Sequence, residues 1–152
     1  MLEMGGADES VAAKVARLLD TEEIRRLVVD YARHMNEKDF SAYARLFAEE
    51  GEWVGGPYRA VGHAAIEEMV RGMVGPFMAP EPFGDIHIDA NAVIDLEGDR
   101  ATGRAGWIFV VRGEGGAPVI DKIGHYDDEY IREDGSWRFK RRESFIDLPP
   151  SP

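Results

Sequence analysis

From Ile86 to Ile146 the chain alternates apolar and polar side chains through four segments, parted by short glycine-bearing turns. That pattern confines the C-terminal half to one antiparallel meander, because side chains of period two line opposite faces of a strand. The segments run over 86–95, 101–112, 119–132 and 137–146; Gly98-Asp99, Gly113 to Gly116 and Asp134-Gly135 turn the chain between them. In the first, Ile86, Ile88, Ala90, Ala92 and Ile94 fall on one face, and His87, Asp89, Asn91 and Val93 on the other. In the second, Trp107, Phe109 and Val111 oppose Ile108 and Val110, so both faces are apolar and both need cover. Helices supply one cover, and a further helix or a second copy of the chain supplies the other.

Helical spacing is confined to what precedes the meander. Val11 to Leu19 reads as a short amphipathic helix or turn. Asp20-Thr21-Glu22-Glu23 has the form of a capping box that starts a new helix. Ile24, Leu27, Val28, Tyr31 and Met35 then form a buried stripe that ends near Asn36. Asp39 caps a second short helix carrying Phe40, Tyr43, Leu46 and Phe47, ended by Gly51. Glu52 to Gly55 is a short strand, and Gly62 opens a third helix with Ile66, Met69, Val70 and Met73 inside. Three prolines in the segment from Gly75 to Gly84 exclude regular structure there; it serves as a pocket rim or as a plain linker.

Helices first and strands afterwards give an α+β domain. A length of 152 residues suits one domain. We place it at 11–148, with a flexible N-terminus (1–10) and a short C-terminal tail (149–152). Asp and Glu number 29 against 18 Lys and Arg, a net charge of −11 that repels phosphate backbones and anionic membranes. Neither nucleic acid nor membrane is an expected partner. The absence of cysteine removes disulfides, thiol nucleophiles and Cys metal sites. With no apolar run of about 20 residues and no leader pattern, a cytoplasmic protein is expected.

Phosphate-loop, HExxH and GxSxG motifs are all missing, and the four histidines (His34, His63, His87, His125) show no ligand spacing, so no metal is expected. His87 stands out in mid-strand among apolar neighbours. It is either a general base or acid working near neutral pH, or a hydrogen-bonded sheet histidine beside Asp89. Tyr31 is either a core aromatic with one hydrogen bond or a donor to a substrate carbonyl. Tyr126, Asp128 and Tyr130 share a strand face, as do Trp137, Phe139 and Arg141. If those faces meet, Asp128 pairs with Arg141 across the strands.

Taken in order, these segments resemble the nuclear transport factor 2-like superfamily, and within it the SnoaL-like branch that includes scytalone dehydratase and bile-acid dehydratase relatives. The resemblance runs from about Thr21 to Ile146. Ile24 to Arg33, Lys38-Asp39-Phe40 with Leu46-Phe47-Ala48, and Gly62 with Ile66 carry its helical part. His87 to Asn91, Gly98 to Ala101, Gly124-His125-Tyr126 and Asp134 to Phe139 with Arg141 carry the strands. It implies a cone-shaped barrel, a curved antiparallel or mixed sheet wrapped on the N-terminal helices around an apolar pocket, and a homodimer formed through the outer sheet face. It also implies a cofactor-independent lyase or isomerase acting on a small apolar cyclic or polyketide-like molecule. In such dehydratases a first-helix Tyr, an Asp five residues on and a strand His surround the substrate. Tyr31 and His87 match, whereas the Asp position holds Asn36, which keeps hydrogen bonding but cannot act as a carboxylate base. We therefore expect His87, Tyr31 and Asn36 as catalytic groups and Tyr126, Asp128, Arg141 and Trp107 as substrate contacts. Two alternatives stand beside this: a non-catalytic binding or assembly domain, and the structural β-subunit of a larger oxygenase.

Overall fold

Alanine-rich sequence carries the first helix straight through the site where a new start was expected. In the computed structural model, which describes residues 9–150, Ser10 accepts the Ala13 amide and α1 runs unbroken from Val11 to Glu37. The expected flexible N-terminus and the end of the tail lie largely outside the described residues. Asp20 and Glu23 are not a capping box. Asp20 accepts the Trp137 indole at 3.1 Å and Arg132 at 2.9 Å, and Glu23 accepts the Trp137 amide at 2.6 Å. Both acids fasten α1 to the last hairpin. A capping box acts only where the chain leaves helical geometry, and the good helix formers upstream give it no cause to do so.

Lys38, in the left-handed region at φ 61°, ends α1, and Asp39 caps α2, Phe40–Ala44. This helix is shorter than the sequence implied. Leu46 and Phe47 have already left it, and β1 spans Phe47–Gly55. Gly51 lies inside β1, not at a helix end; a Cβ there would sit 2.8 Å from the Phe139 carbonyl oxygen, so glycine permits the close approach of the last strand. β2 (Tyr58–Val61) and α3 (His63–Met73) follow, then β3 (Ile86–Glu97), β4 (Arg100–Arg112), β5 (Pro118–Glu133) and β6 (Ser136–Leu148).

The six strands form one open, curled sheet in the order β2-β1-β6-β5-β4-β3. Every pairing is antiparallel except β1 with β6. Its concave face holds the helices, giving the α+β cone. Ile24, Leu27, Val28, Tyr31 and Met35 of α1 pack there against Tyr126, Tyr130, Trp137 and Phe139.

Two bulges decide which side chains enter the cone. In β3 the register slips between Ala90 and Val93, with Asn91 at φ 57°. A one-residue slip exchanges the faces of everything beyond it. The inner face is therefore His87 and Asp89, then Ala92, Ile94 and Leu96; the expected apolar face running from Ile86 to Ile94 does not exist as one surface. In β6 a second slip, as the pairing passes from Tyr130–Phe139 to Glu129–Arg141, turns Arg142 inward. Arg141 instead bonds Glu52 and Glu143, each at 2.9 Å. The expected Asp128–Arg141 pair is replaced by Asp128–Arg142. On the convex face Ile88 stays exposed, and no helix among the described residues covers it.

Candidate functional site

Between the inner sheet face, α1, α3 and the 75–78 turn lies a cavity of about 480 Å³, within the range that takes a drug-sized ligand. Its walls are mainly aromatic: Tyr31, Trp53, Trp107, Phe109 and Tyr126, with Met35 and Met78 filling between them. The β3–β4 pairing sets His87 opposite Phe109, and the rings stack at 4.4 Å and 26°. The stack fixes the plane of the imidazole. Its Nδ1 is buried without a hydrogen-bond partner among the described residues.

Tyr31 reaches the cavity from the middle of α1. Its hydroxyl oxygen accepts from Trp53 Nε1 at 2.9 Å and from the Tyr43 hydroxyl at 2.8 Å. Two acceptor positions are thus filled, and the Tyr31 hydrogen is left to donate. Burial raises the Tyr31, Tyr43 and Tyr126 phenols above their ordinary pKa, so they remain protonated donors at neutral pH.

Asn36 does not reach into the cavity. Its amide nitrogen donates to the His87 carbonyl at 3.0 Å and its oxygen accepts the His87 amide at 2.7 Å. β3 is an edge strand, and this side chain supplies the donor and acceptor that a neighbouring strand would otherwise present. An aspartate could accept from the amide but would face the carbonyl without a proton to give. The same stretch of α1 holds the rim. The Asn36 carbonyl accepts the Phe83 amide at 2.9 Å. Lys38 pairs with buried Asp85 at 2.5 Å, and Asp85 also accepts the Ala79 amide at 2.6 Å.

Beneath Tyr31 and Tyr126 is a buried charge cluster. The Arg142 guanidinium is fully buried, 3.6 Å from the Tyr126 ring centre and 4.1 Å from that of Tyr31. It donates to Asp128 at 2.9 and 3.3 Å and to Asp89 at 3.2 Å, while Tyr130 donates to Asp128 at 2.9 Å. Asp89 Oδ1 has no hydrogen-bond partner among the described residues. Neither Asp128 nor Arg142 lines the cavity, so Asp128 shapes the floor from below. Of the expected substrate contacts, Trp107 and Tyr126 line the cavity wall, and Arg141 lies apart with its two glutamates. The sequence reading missed Trp53, Asp89, Lys122 and Arg142. Among the described residues no three His, Asp or Glu side chains gather in a form that could hold a metal, and no helix is long and apolar enough to cross a membrane.

Burial sends the two ionisable groups of inner β3 in opposite directions. It lowers His87 from 6.5 to about 4, with the nearby Lys38 charge adding to the effect and Asp85 opposing it. It raises Asp89 from 3.8 to about 6, against the pull of Arg142. Between about pH 6.5 and 4 the unfolded chain binds the His87 proton and the folded chain does not, so stability is lost as the pH falls. Between about pH 6 and 3.8 the folded chain holds the Asp89 proton, so stability is gained as the pH falls. The two nearly offset in the wild type. Replacing His87 with glutamine leaves only the gain: relative to wild type, the variant becomes more stable by about 2–3 kcal/mol between pH 7 and pH 4.5. Urea unfolding across that range measures it, and a difference independent of pH would contradict the assignment.

The SnoaL-like domain family profile matches residues 16–143. No curated protein matches the chain. Among solved structures, an NTF2-like protein with a cystatin-like fold from Novosphingobium aromaticivorans aligns at 26% identity and a TM-score of 0.80, covering 96% of this chain and 95% of that one. Rv3472 of Mycobacterium tuberculosis, a protein of unknown function, aligns at 25% identity and a TM-score of 0.76 over 93% of this chain and 78% of its own. A hexachlorocyclohexane dehydrochlorinase, LinA type 2, aligns at 20% identity and a TM-score of 0.75 over 89% and 90%. At that identity the likeness is one of fold.

Proposed function

Because this chain belongs to the SnoaL-like domain family, whose fold also carries a dehydrochlorinase, we propose that its cavity is the active site of a cofactor-independent lyase or isomerase. The substrate is a small, largely apolar cyclic ketone or hydroxy-ketone. One observation carries the reading: a neutral imidazole held flat on Phe109 shares an aromatic cavity with the donor-competent Tyr31 hydroxyl. His87 takes a proton from the carbon next to the carbonyl. The electron pair moves onto the carbonyl oxygen, which receives the Tyr31 hydrogen bond as its charge grows. The imidazolium then returns the proton, to another carbon in an isomerisation or to a departing hydroxyl that leaves as water. Asn36 contributes by fixing the His87 backbone.

Incubating the protein with cyclic ketones and hydroxy-ketones in deuterated water tests this. Deuterium entering next to the carbonyl, or loss of water, is the expected mass change. A second reading, a non-catalytic binding domain, is favoured by one fact: the Asn36 amide is committed to the strand edge, and its place holds no carboxylate to assist His87. On that reading ligands raise the melting temperature and come back unaltered.

A further inference from the structure

Within the catalytic-cavity reading, and resting on it, we propose that the cavity takes a ring compound bearing a carboxylate, and that Lys122 is the group that receives it. The strand pairing places His87, Phe109 and Lys122 in one row across β3, β4 and β5. All three line the cavity. The His87 and Phe109 rings are stacked, and the Lys122 ammonium lies 6.0 Å from the centre of the Phe109 ring. Lys122 is the last residue of this row before the register slips at Asp121, where the pairing passes from Phe109–Lys122 to Val110–Ile120.

Among the described residues, Lys122 is the one Lys or Arg that lines the cavity. Its own partner is Asp121, the adjacent residue, at 2.7 Å, and the two side chains are 35% and 40% exposed. A pair so open to water holds its ammonium weakly, leaving it free to exchange onto a ligand. The acid on the cavity lining, Asp147, is engaged by His125 Nδ1 at 2.6 Å. In a chain of net charge −11, which repels anions at long range, an inward lysine gives an anionic substituent one place to bind.

Neighbouring strands lie about 4.8 Å apart, so the His87 and Lys122 backbones stand roughly 10 Å from each other across the sheet. An aromatic compound whose carboxylate meets Lys122 extends from there along the row over Phe109, which brings its remote ring carbons toward His87.

Titration calorimetry on the full chain with 2-naphthoate and 2-naphthol, two probes of nearly the same shape, tests the proposal. We expect naphthoate to bind about tenfold more tightly than naphthol at low salt, and the preference to shrink as salt rises. Lys122→Met should weaken naphthoate about tenfold and leave naphthol unchanged, while Lys122→Arg keeps the preference. The naphthol affinity reports that the variant cavity is intact. Equal affinity for the two probes, or a preference that survives Lys122→Met, overturns the role of Lys122 and leaves the cavity reading standing. Failure of both probes to bind wild type overturns the cavity reading and this inference with it.

Discussion

Replacing Arg142 with methionine is expected to destabilise the protein by about 3–5 kcal/mol, the typical cost of leaving a buried charge without its partner. Two carboxylates depend on this one guanidinium, Asp128 through two hydrogen bonds and Asp89 through one. Methionine reproduces the apolar stem of the side chain and fills part of the space it occupies, so most of the loss reports the missing guanidinium. Burial has already raised both carboxyl groups, and without Arg142 they take up protons instead of staying ionised. The deficit should accordingly narrow as the pH falls through the range in which the variant's carboxyls hold protons that the wild type's do not, a range that for Asp89 ends near pH 6. Arg141→Met is the matched control. Its pairs with Glu52 and Glu143 are partly exposed, and screening by water limits the expected loss to less than about 1 kcal/mol. Urea midpoints for the two variants at pH 7 and pH 5 decide the matter. Equal losses would mean that β6 does not bulge where we place it.

That contrast between adjacent arginines shows where the sequence ceased to be legible. The four long strands, their turns and the third helix all follow from periodicity and glycine placement, and the structure carries them within a few residues. What periodicity cannot carry across is a single inserted residue. Trp137 and Phe139 alternate correctly, and parity then points to Arg141. One bulge passes the inward place to Arg142, and two consecutive arginines give no sign of which is buried. In β3 the difficulty was different. Ile86, Ile88 and Ala90 share an apolar face, yet they point out, and the polar pair His87 and Asp89 points in. A convex face that is itself apolar removes the contrast on which the reading depends. The false helix start at Asp20 has the same root: a carboxylate that can cap a helix can equally accept an indole and a guanidinium, and only tertiary structure decides between them.

Tyr31 and His87, which the sequence singled out, both line the cavity, and the Asn36 position between them holds no carboxylate. Asn36 is matched to a strand edge, and its amide spans the His87 peptide as another strand would. The position therefore fixes the histidine backbone without placing a carboxylate against the ring. A histidine with no carboxylate partner and a buried ring loses basicity. It also stays deprotonated, and ready to accept a proton, far into the acid range.

On the acid–base reading His87→Gln should lower turnover of any substrate found by about 10²- to 10⁴-fold, the usual share of a positioned general base. Glutamine keeps a polar head of similar reach, and the Asn36 clamp grips the backbone of residue 87, not its side chain. The variant should therefore fold normally at neutral pH, which its circular dichroism and melting temperature will show. The wild-type pH profile gives the sharper measurement. A base of ordinary histidine character loses activity as the pH falls through 6.5; with His87 held at about 4, the rate should stay level from pH 8 to about pH 5 and fall only below that. Mutation of a residue with a purely structural role would leave that acid limb in place, whereas His87→Gln should remove it together with most of the rate. An acid limb centred near 6.5 would mean that the imidazole meets water in the working enzyme. A full rate in the glutamine variant would remove His87 from the chemistry.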